Sequence, residues 1–493
     1  MASSIKYLAS GIYGSNKIAY STDGITWTGS TSAASVFSQV VYATAHNGII
    51  WVAGSEGNPA LAYSYDGITW TSSTSGNSVL TMCGCVTYGN GMFIAVGKGS
   101  SYSIAYSYDG INWTGCASNT FFGGNSLNYG YCVTYKNNMY VAGGSGGGPA
   151  PGGALIGYSS NGIDWTLSSS NTLYLIVSAI DYNGTTWVAV GTNTTNTQNV
   201  VYSSNAITWS SASYNAFTVP RSLKWNGTTF LSGGNSLTKL MSSTNGSSWS
   251  TSANLANLAS SGIEALNYVS SLGMWLGGQY GTTGTASTPL LYSYDGTTWT
   301  ARAFPYTGTT RGISIGLPAP IPCFLQGSKI LRMNVETDAE EYVPVETLRR
   351  GDLIKTAESG YKAIQLIGYK TIENRPDSDI KSRLFIFKKS GQMTEDLCVT
   401  GEHCALHKSL AAAKLEQIRD YMGDIYVTEG YYRVPAHLDE NAEPYPVEGE
   451  ATIWHFALEH DDVHWNYGVF ANGLLVESCS VRKMAEFSDM SIL

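Results

Sequence analysis

The sequence predicts an all-β protein of two parts, a seven-bladed β-propeller followed by a smaller, mostly β domain. Three observations carry this expectation. A tryptophan-ended segment recurs seven times at a near-constant period, the stretches between copies read as short strands joined by tight turns, and both repeat and composition change at one proline-rich seam. A chain of 493 residues is also too long for one ordinary core, so more than one domain is expected.

The repeats come first. "STDGITW", "SYDGITW", "SYDGINW", "SSNGIDW", "SSNAITW", "STNGSSW" and "SYDGTTW" close on Trp27, Trp70, Trp113, Trp165, Trp209, Trp249 and Trp299. Their spacings are 43, 43, 52, 44, 40 and 50 residues, the period of a four-stranded propeller blade. The longest interval holds "GGSGGGPAPGG", which reads as an inserted loop. In the third copy the strand segments are "GCVTYGNG", "MFIAVGKG", "SIAYSYDG" and "INWTGC". These are β-branched and aromatic runs bounded by "NG" and "DG", where Gly or Asn supplies the positive φ of a tight turn. In the repeat turns, Asp23, Asp66, Asp109 and Asp295 are set to accept hydrogen bonds from backbone amides two residues on. Each tryptophan is expected between neighbouring blades, where a large flat side chain buries the most area.

The two ends of the repeat region complement each other. The chain opens on "IKYLASG", equivalent to "MFIAVG", so the first blade lacks its leading strand. "TTRGISIG", after the seventh tryptophan, resembles that strand. Residues 311–316 are therefore expected to complete the first blade and close a propeller over residues 1–315. The motif is similar to the Asp-box of sialidase-like propellers, S-x-D-x-G-x-T-W, but sets Asp and Gly side by side. Each turn is thus one residue shorter.

Charge separates the two parts. Residues 1–322 hold 8 acidic and 9 basic residues; 36 and 27 in the whole chain leave 28 and 18 for residues 323–493. No basic stripe exists to replace nucleic-acid counterions, so no nucleic-acid partner is expected. No stretch approaches the ~18 uninterrupted apolar residues of a membrane span. "MASSIKYLASGIYG" lacks the pattern of a secretory signal, and a virion-associated or surface location stays open. A glycosidase in the propeller would draw on Arg221, Arg302 and Arg311 and on two of Glu56, Asp164, Asp181 and Glu264, with His46 the one histidine. That is too few charged groups, and glycosidase activity is not expected. Abundant Tyr with Ser, Asn and Gly suits recognition of a glycan or protein. The same residues are good strand formers, so a spacer role stays open beside it.

The eight cysteines are Cys83, Cys85, Cys116, Cys132, Cys323, Cys398, Cys404 and Cys479. They are too sparse for a disulfide scaffold and form no paired CxxC motifs, so no metal and no cofactor are expected. Free buried thiols, with one reactive, are the reading, in a chain folded in a reducing compartment. "EHDDVH" (459–464), with His460 and His464, reads as a solvated turn rather than a metal cluster. "SLAAAKLEQIRDYMG" (409–423) reads as an amphipathic helix ending at Gly423.

"GLPAPIP" (316–322) is a stiff, extended linker that delivers the chain to Cys323. From there four motifs follow in order: "CFLQGSKI", "VPVETLRRGDLIKT" (343–356), "LCVTGEH" (397–403) with Thr400 and His403, and "NYGVFANGLLVESCS" (466–480). Residues 323–493 resemble the Hint domain, the self-processing module shared by hedgehog proteins and inteins. Giant-virus and bacterial proteins that carry such a domain behind a repeat domain are similar in layout.

The resemblance implies chemistry at the seam. Cys323 is the nucleophile on the carbonyl of Pro322, and an N-to-S acyl shift turns the Pro322–Cys323 peptide into a thioester. His403 protonates the departing Cys323 nitrogen, Thr400 helps hold the scissile peptide, and His455 stands where the family often has an aspartate. Inteins end in His-Asn before a nucleophile; Glu477, Ser478 and Cys479 stand here instead. Serine cannot cyclise, so cleavage without splicing is implied, with water, a thiol or an alcohol resolving the thioester, or Cys479 capturing the acyl group first. The alternative is a non-enzymatic virion, surface or fibre-like protein whose Hint domain is inactive.

Overall fold

Each tryptophan-ended repeat closes one four-stranded antiparallel sheet, giving seven such sheets in the computed structural model of the chain. The structure describes residues 1–493 except 1–5, 14–15, 117–121, 123–128, 146–153, 170–175, 193–198, 213–218, 236–238, 255–261, 281–288, 303, 305–307, 317–321, 377, 423–424, 464 and 488–489. The inserted loop "GGSGGGPAPGG" and the linker 317–321 thus fall largely outside the described residues. The chain divides into two units, Met1–Leu317 and Pro318–Leu493. No helix among the described residues is long and apolar enough to cross a membrane.

Blade 2 is representative, with strands Val41–His46, Trp51–Ser55, Leu61–Ser64 and Thr71–Ser72 running from the inner to the outer edge. In blade 3 the strands are Met82–Gly89, Met92–Lys98, Ile104–Ser107 and Thr114–Gly115. The outermost strand is shorter than "INWTGC" suggests, because Asp109 to Trp113 are used by the turn. Blade 1 is assembled from both ends of the unit: Thr309–Ile315 pairs antiparallel with Tyr7–Tyr13, Leu8 opposite Ser314 and Ala9 opposite Ile313. Neighbouring blades are tied to this closing strand, Thr44 Oγ1 donating to Ser314 Oγ at 2.8 Å and Asn267 Nδ2 to the Ile313 carbonyl at 2.9 Å.

The repeat turn explains its own sequence. Ser21 Oγ donates to Asp23 Oδ1 at 2.9 Å and accepts from the Gly24 amide at 2.8 Å. Asp23 Oδ1 also accepts from the amides of Ile25 and Thr26, both at 2.7 Å. Burial works against the charge on Asp23, but these amide bonds outweigh it and hold the carboxyl at about 2. The glycine after the Asp or Asn has φ between 71° and 77° in six copies, and Ala206 adopts φ 60° in the copy that lacks it. At Gly110 an added Cβ would lie 2.8 Å from Val52 Cγ2. The seven tryptophans are 4–6% exposed and sit in cores drawn from adjacent blades. Trp113, for example, packs with Leu61 and Val52 of blade 2 and Phe93 and Ala105 of blade 3. Two six-residue helices absent from the sequence reading, Thr31–Val36 and Thr74–Val79, are capped by Ser30 and Ser73.

Each inner strand carries one extra residue near its start. The pairing slips between Val41 and Ala43, Cys83 and Cys85, Gly130 and Cys132, Val177 and Ala179, Pro220 and Ser222, and Ile263 and Ala265. In blade 1 the slip leaves Arg311 unpaired between Thr310 and Gly312. Such bulges push a side chain out of the regular alternation.

The second unit is built on a long antiparallel pair, Tyr361–Asn374 against Gly449–Leu458, with Gly368 opposite His455. The short strand Phe324–Leu325 pairs on both sides: Phe324 lies opposite Val399 of Leu397–Thr400 and opposite Trp454. Its core includes Phe324, Ile330, Ile354, Ile367, Val399 and Phe456. The "NG" of the last motif turns the hairpin Gly468–Ala471 and Leu474–Glu477, with φ 45° at Asn472 and 87° at Gly473. The expected helix is Ala412–Met422, and its predicted stop Gly423 lies outside the described residues.

Candidate functional site

Cys323 stands one residue before a strand clamped between two others, which fixes its backbone. Its amide nitrogen, half of the Pro322–Cys323 peptide, donates to Thr400 Oγ1 at 2.9 Å. The Thr400 amide in turn donates to the Cys323 carbonyl at 3.0 Å. Both residues are buried, Cys323 at 0% and Thr400 at 1% exposure, and Pro322 is buried too.

His403 follows on the same turn, its amide donating to the Thr400 carbonyl at 2.9 Å. Its ring lies 4.4 Å from that of Phe324, centroid to centroid. Nε2 bonds the Glu477 carbonyl at 3.1 Å; a carbonyl only accepts, so the proton is on Nε2. Nδ1 is therefore the lone-pair nitrogen, buried without a hydrogen-bond partner among the described residues. Burial drives His403 down to about 4, against the pull of the Glu477 carboxylate and of the Cys323 and Glu477 backbones. The ring is neutral near pH 7, a base at Nδ1.

His455 lies beyond it, 5.3 Å from the His403 ring and 5.3 Å from Phe324. It is fully buried, and neither ring nitrogen has a hydrogen-bond partner among the described residues. Burial, followed by His403 and Lys483, holds it well below the usual histidine range. Cys479 shares one apolar cluster with Cys323, Ile453 and Ala457. Its amide donates to the Phe456 carbonyl at 3.2 Å, and burial pushes its thiol up to about 12. All eight cysteines are free.

Glu477 is the residue that sequence reasoning undervalued. In the sequence it stands out only as a departure from an intein ending, yet its carbonyl sets the tautomer of His403. Its carboxylate accepts from the Cys404 amide at 3.3 Å and from Asn466 Nδ2 at 3.2 Å, and pairs with Arg433 at 3.5 Å. The signal available was a buried-looking acid between "LLV" and "SC", which needs partners to be tolerated. Ser478 is tied to Tyr467, its amide donating to the Tyr467 carbonyl at 2.7 Å and its Oγ accepting from the Tyr467 amide at 2.9 Å.

The other histidines serve locally. His407 Nε2 bonds Asp439 Oδ2 at 2.6 Å, and His437 Nδ1 bonds the Gly401 carbonyl at 2.7 Å. His460 accepts at Nδ1 from the Asp462 amide at 2.9 Å and stacks on Trp465, while His464 lies outside the described residues. No group of three or more His, Cys, Asp or Glu among the described residues is arranged to hold a metal ion. In the propeller, Asp23, Asp66 and Asp295 are engaged in their turns, as is Asp109.

No protein-family model and no curated protein matches the chain. Among solved structures it is similar to the nidogen/laminin complex, at 9% identity over 48% of this chain and 88% of that one, with a TM-score of 0.34. It is also similar to a protein from Lactobacillus plantarum, at 8% identity over 63% of this chain and 99% of that one, with a TM-score of 0.41.

Proposed function

We propose that residues 323–493 are a Hint-type self-processing domain that cuts the chain at Pro322–Cys323 without splicing, behind a propeller that serves recognition or structure. The observation that carries this reading is the reciprocal pair of hydrogen bonds between Cys323 and Thr400, with His403 on the same turn. The Cys323 thiol gives its proton to Nδ1 of His403, and Sγ attacks the Pro322 carbonyl carbon. The tetrahedral intermediate collapses as His403 returns the proton to the Cys323 nitrogen and the C–N bond breaks. A thioester between Pro322 and Cys323 Sγ and a free Cys323 amine result. His455, neutral and adjacent to His403, is a second group able to take part in the proton relay. Water, a thiol or an alcohol then releases residues 1–322, or Cys479 accepts the acyl group from Cys323 and gives a branched chain.

One observation favours a second reading, an inactive domain in a structural component of a virion or other surface. Cys323 is entirely buried, away from the solvent that would supply an acceptor. Intact mass under denaturing conditions separates the two. Wild type is expected to split into residues 1–322 and 323–493, faster with added thiol, while Cys323→Ala stays whole. Full-length mass for both, with and without thiol, would establish the structural reading.

A further inference from the structure

The propeller holds a second site, independent of whether the chain is cut. The extra residue of each inner strand occupies an equivalent place in every blade: Tyr42, Tyr131, Ser178, Arg221, Glu264 and Arg311, with Gly84 in blade 3, where an added Cβ would lie 2.3 Å from the Gly130 carbonyl oxygen. A purely structural lining has no need of charge here, and burying charge is costly unless it is paired. Glu264 is only 6% exposed and pairs with Arg311 through Oε2. Its Oε1 is buried without a partner among the described residues, as are Ser178 Oγ, Arg221 Nε and Arg311 Nε.

These four orphaned atoms come from four successive blades, 5, 6, 7 and 1. Native interiors leave few such atoms, and a contiguous arc of them is unusual. The opposite arc is aromatic. Tyr129 and Tyr131 lie against each other with centroids 4.0 Å apart and planes tilted by 30°, and Tyr42 donates its hydroxyl to Glu56 at 2.9 Å. Burial, then Glu56, holds the Tyr42 hydroxyl protonated, and burial does the same for Tyr129. The cations reach these phenols: Arg311 draws the Tyr42 hydroxyl down and Arg221 that of Tyr129, each a smaller effect than burial.

We propose that this ring of bulged residues binds a saccharide bearing a carboxylate. Arg221 makes no ion pair among the described residues and supplies the partner for the carboxylate. Glu264 Oε1 and Ser178 Oγ pair with ring hydroxyls, and the tyrosine faces take the apolar face of the sugar ring. Of the charged residues open to a catalytic reading from sequence, Glu264, Arg221 and Arg311 belong to this ring, and Glu56 accepts from its Tyr42. Arg302 instead lies 3.8 Å over the Tyr292 ring, and Asp181 accepts from the Trp225 amide. The proposal is of binding, with no bond-breaking step.

The test is calorimetric titration of the full chain with glucuronic and galacturonic acids, against glucose and galactose, which differ from them only in lacking the carboxylate. Inorganic phosphate serves as the simple oxyanion. At least one uronic acid is expected to bind saturably, about tenfold or more tighter than its neutral parent and than phosphate, since hydrogen bonds to charged groups are the strong ones. Arg221→Gln should weaken that binding about tenfold or more, while Arg302→Gln leaves it unchanged. If Arg221→Gln lowers the melting temperature, Tyr131→Ala on the opposite arc is the variant to read. Failure of both uronic acids to bind, equal binding of the neutral sugars or of phosphate, or indifference to the ring variants would overturn the proposal.

Discussion

At the residue scale, the Cys323–Thr400 pair makes two demands on one side chain. Thr400 Oγ1 satisfies a buried amide and at the same time holds the nitrogen that would leave. Thr400→Val keeps the shape and removes the acceptor, so a buried N–H is left unpaired. Denaturant unfolding of the variant should show the second unit weakened by about 1–3 kcal/mol, with thiol-induced cleavage slowed as well. The buried histidines give a second prediction. His403 titrates near 4 in the fold against an ordinary value of 6.5. The unfolded chain therefore binds more protons between those values, and stability rises with pH across that window. The stabilising effect of keeping His403 neutral is present above pH 6.5 and is lost as pH falls towards 4, by a few kcal/mol in all. Denaturation of Cys323→Ala, chosen so that the proposed cleavage does not intervene, at steps from pH 7 to 4 should trace this loss. A flat profile would remove His403 as a buried neutral base.

At the element scale, the repeat turn couples backbone conformation to packing. Gly110 combines a φ of 77° with a site where a Cβ would press on Val52. Gly110→Ala should cost about 1–3 kcal/mol, read as a fall in the propeller's melting temperature. The copy with Ala206 tolerates the same conformation because its methyl group is accommodated in the core beside Trp209. Trp113→Ala removes the side chain that joins the cores of blades 2 and 3. The expected loss is about 3–5 kcal/mol, measured by the same unfolding experiment. A smaller loss for Trp113→Ala than for Gly110→Ala would show that the turn, rather than the inter-blade packing, dominates each repeat.

At the scale of the molecule, the propeller is held shut by a strand more than 290 residues from its partner in sequence, since Thr309–Ile315 pairs with Tyr7–Tyr13. Open rings leave an unpaired strand edge and half-buried blade faces. A chain ending at residue 322 should therefore unfold in one cooperative transition. One ending at residue 308 should lose cooperativity or aggregate, as light scattering during thermal unfolding would reveal. Equal behaviour of the two would mean that closure contributes little.

Seven blades, their turns and their tryptophans are legible in the sequence because each depends on contacts within a few residues or within one repeat: a serine, an acid or amide and a glycine at fixed spacing suffice to make the turn. The order of Cys323, Thr400, His403 and Glu477 is legible too, but their meeting is not. Cys323 and Thr400 are 77 residues apart, and His403 and Glu477 are 74 apart. The pairing of Phe324 with Val399 brings Cys323 to Thr400, that of Ala405 with Val476 brings Glu477 to His403, and only the Glu477 carbonyl decides which nitrogen of His403 carries its proton. The ring of bulged residues was hidden for the same reason. A bulge is a slip in the register between strands, and no residue type announces it. Its members come from seven repeats, and nothing but closure of the propeller gathers Arg221, Glu264 and Arg311 into one ring with Tyr42 and Tyr131.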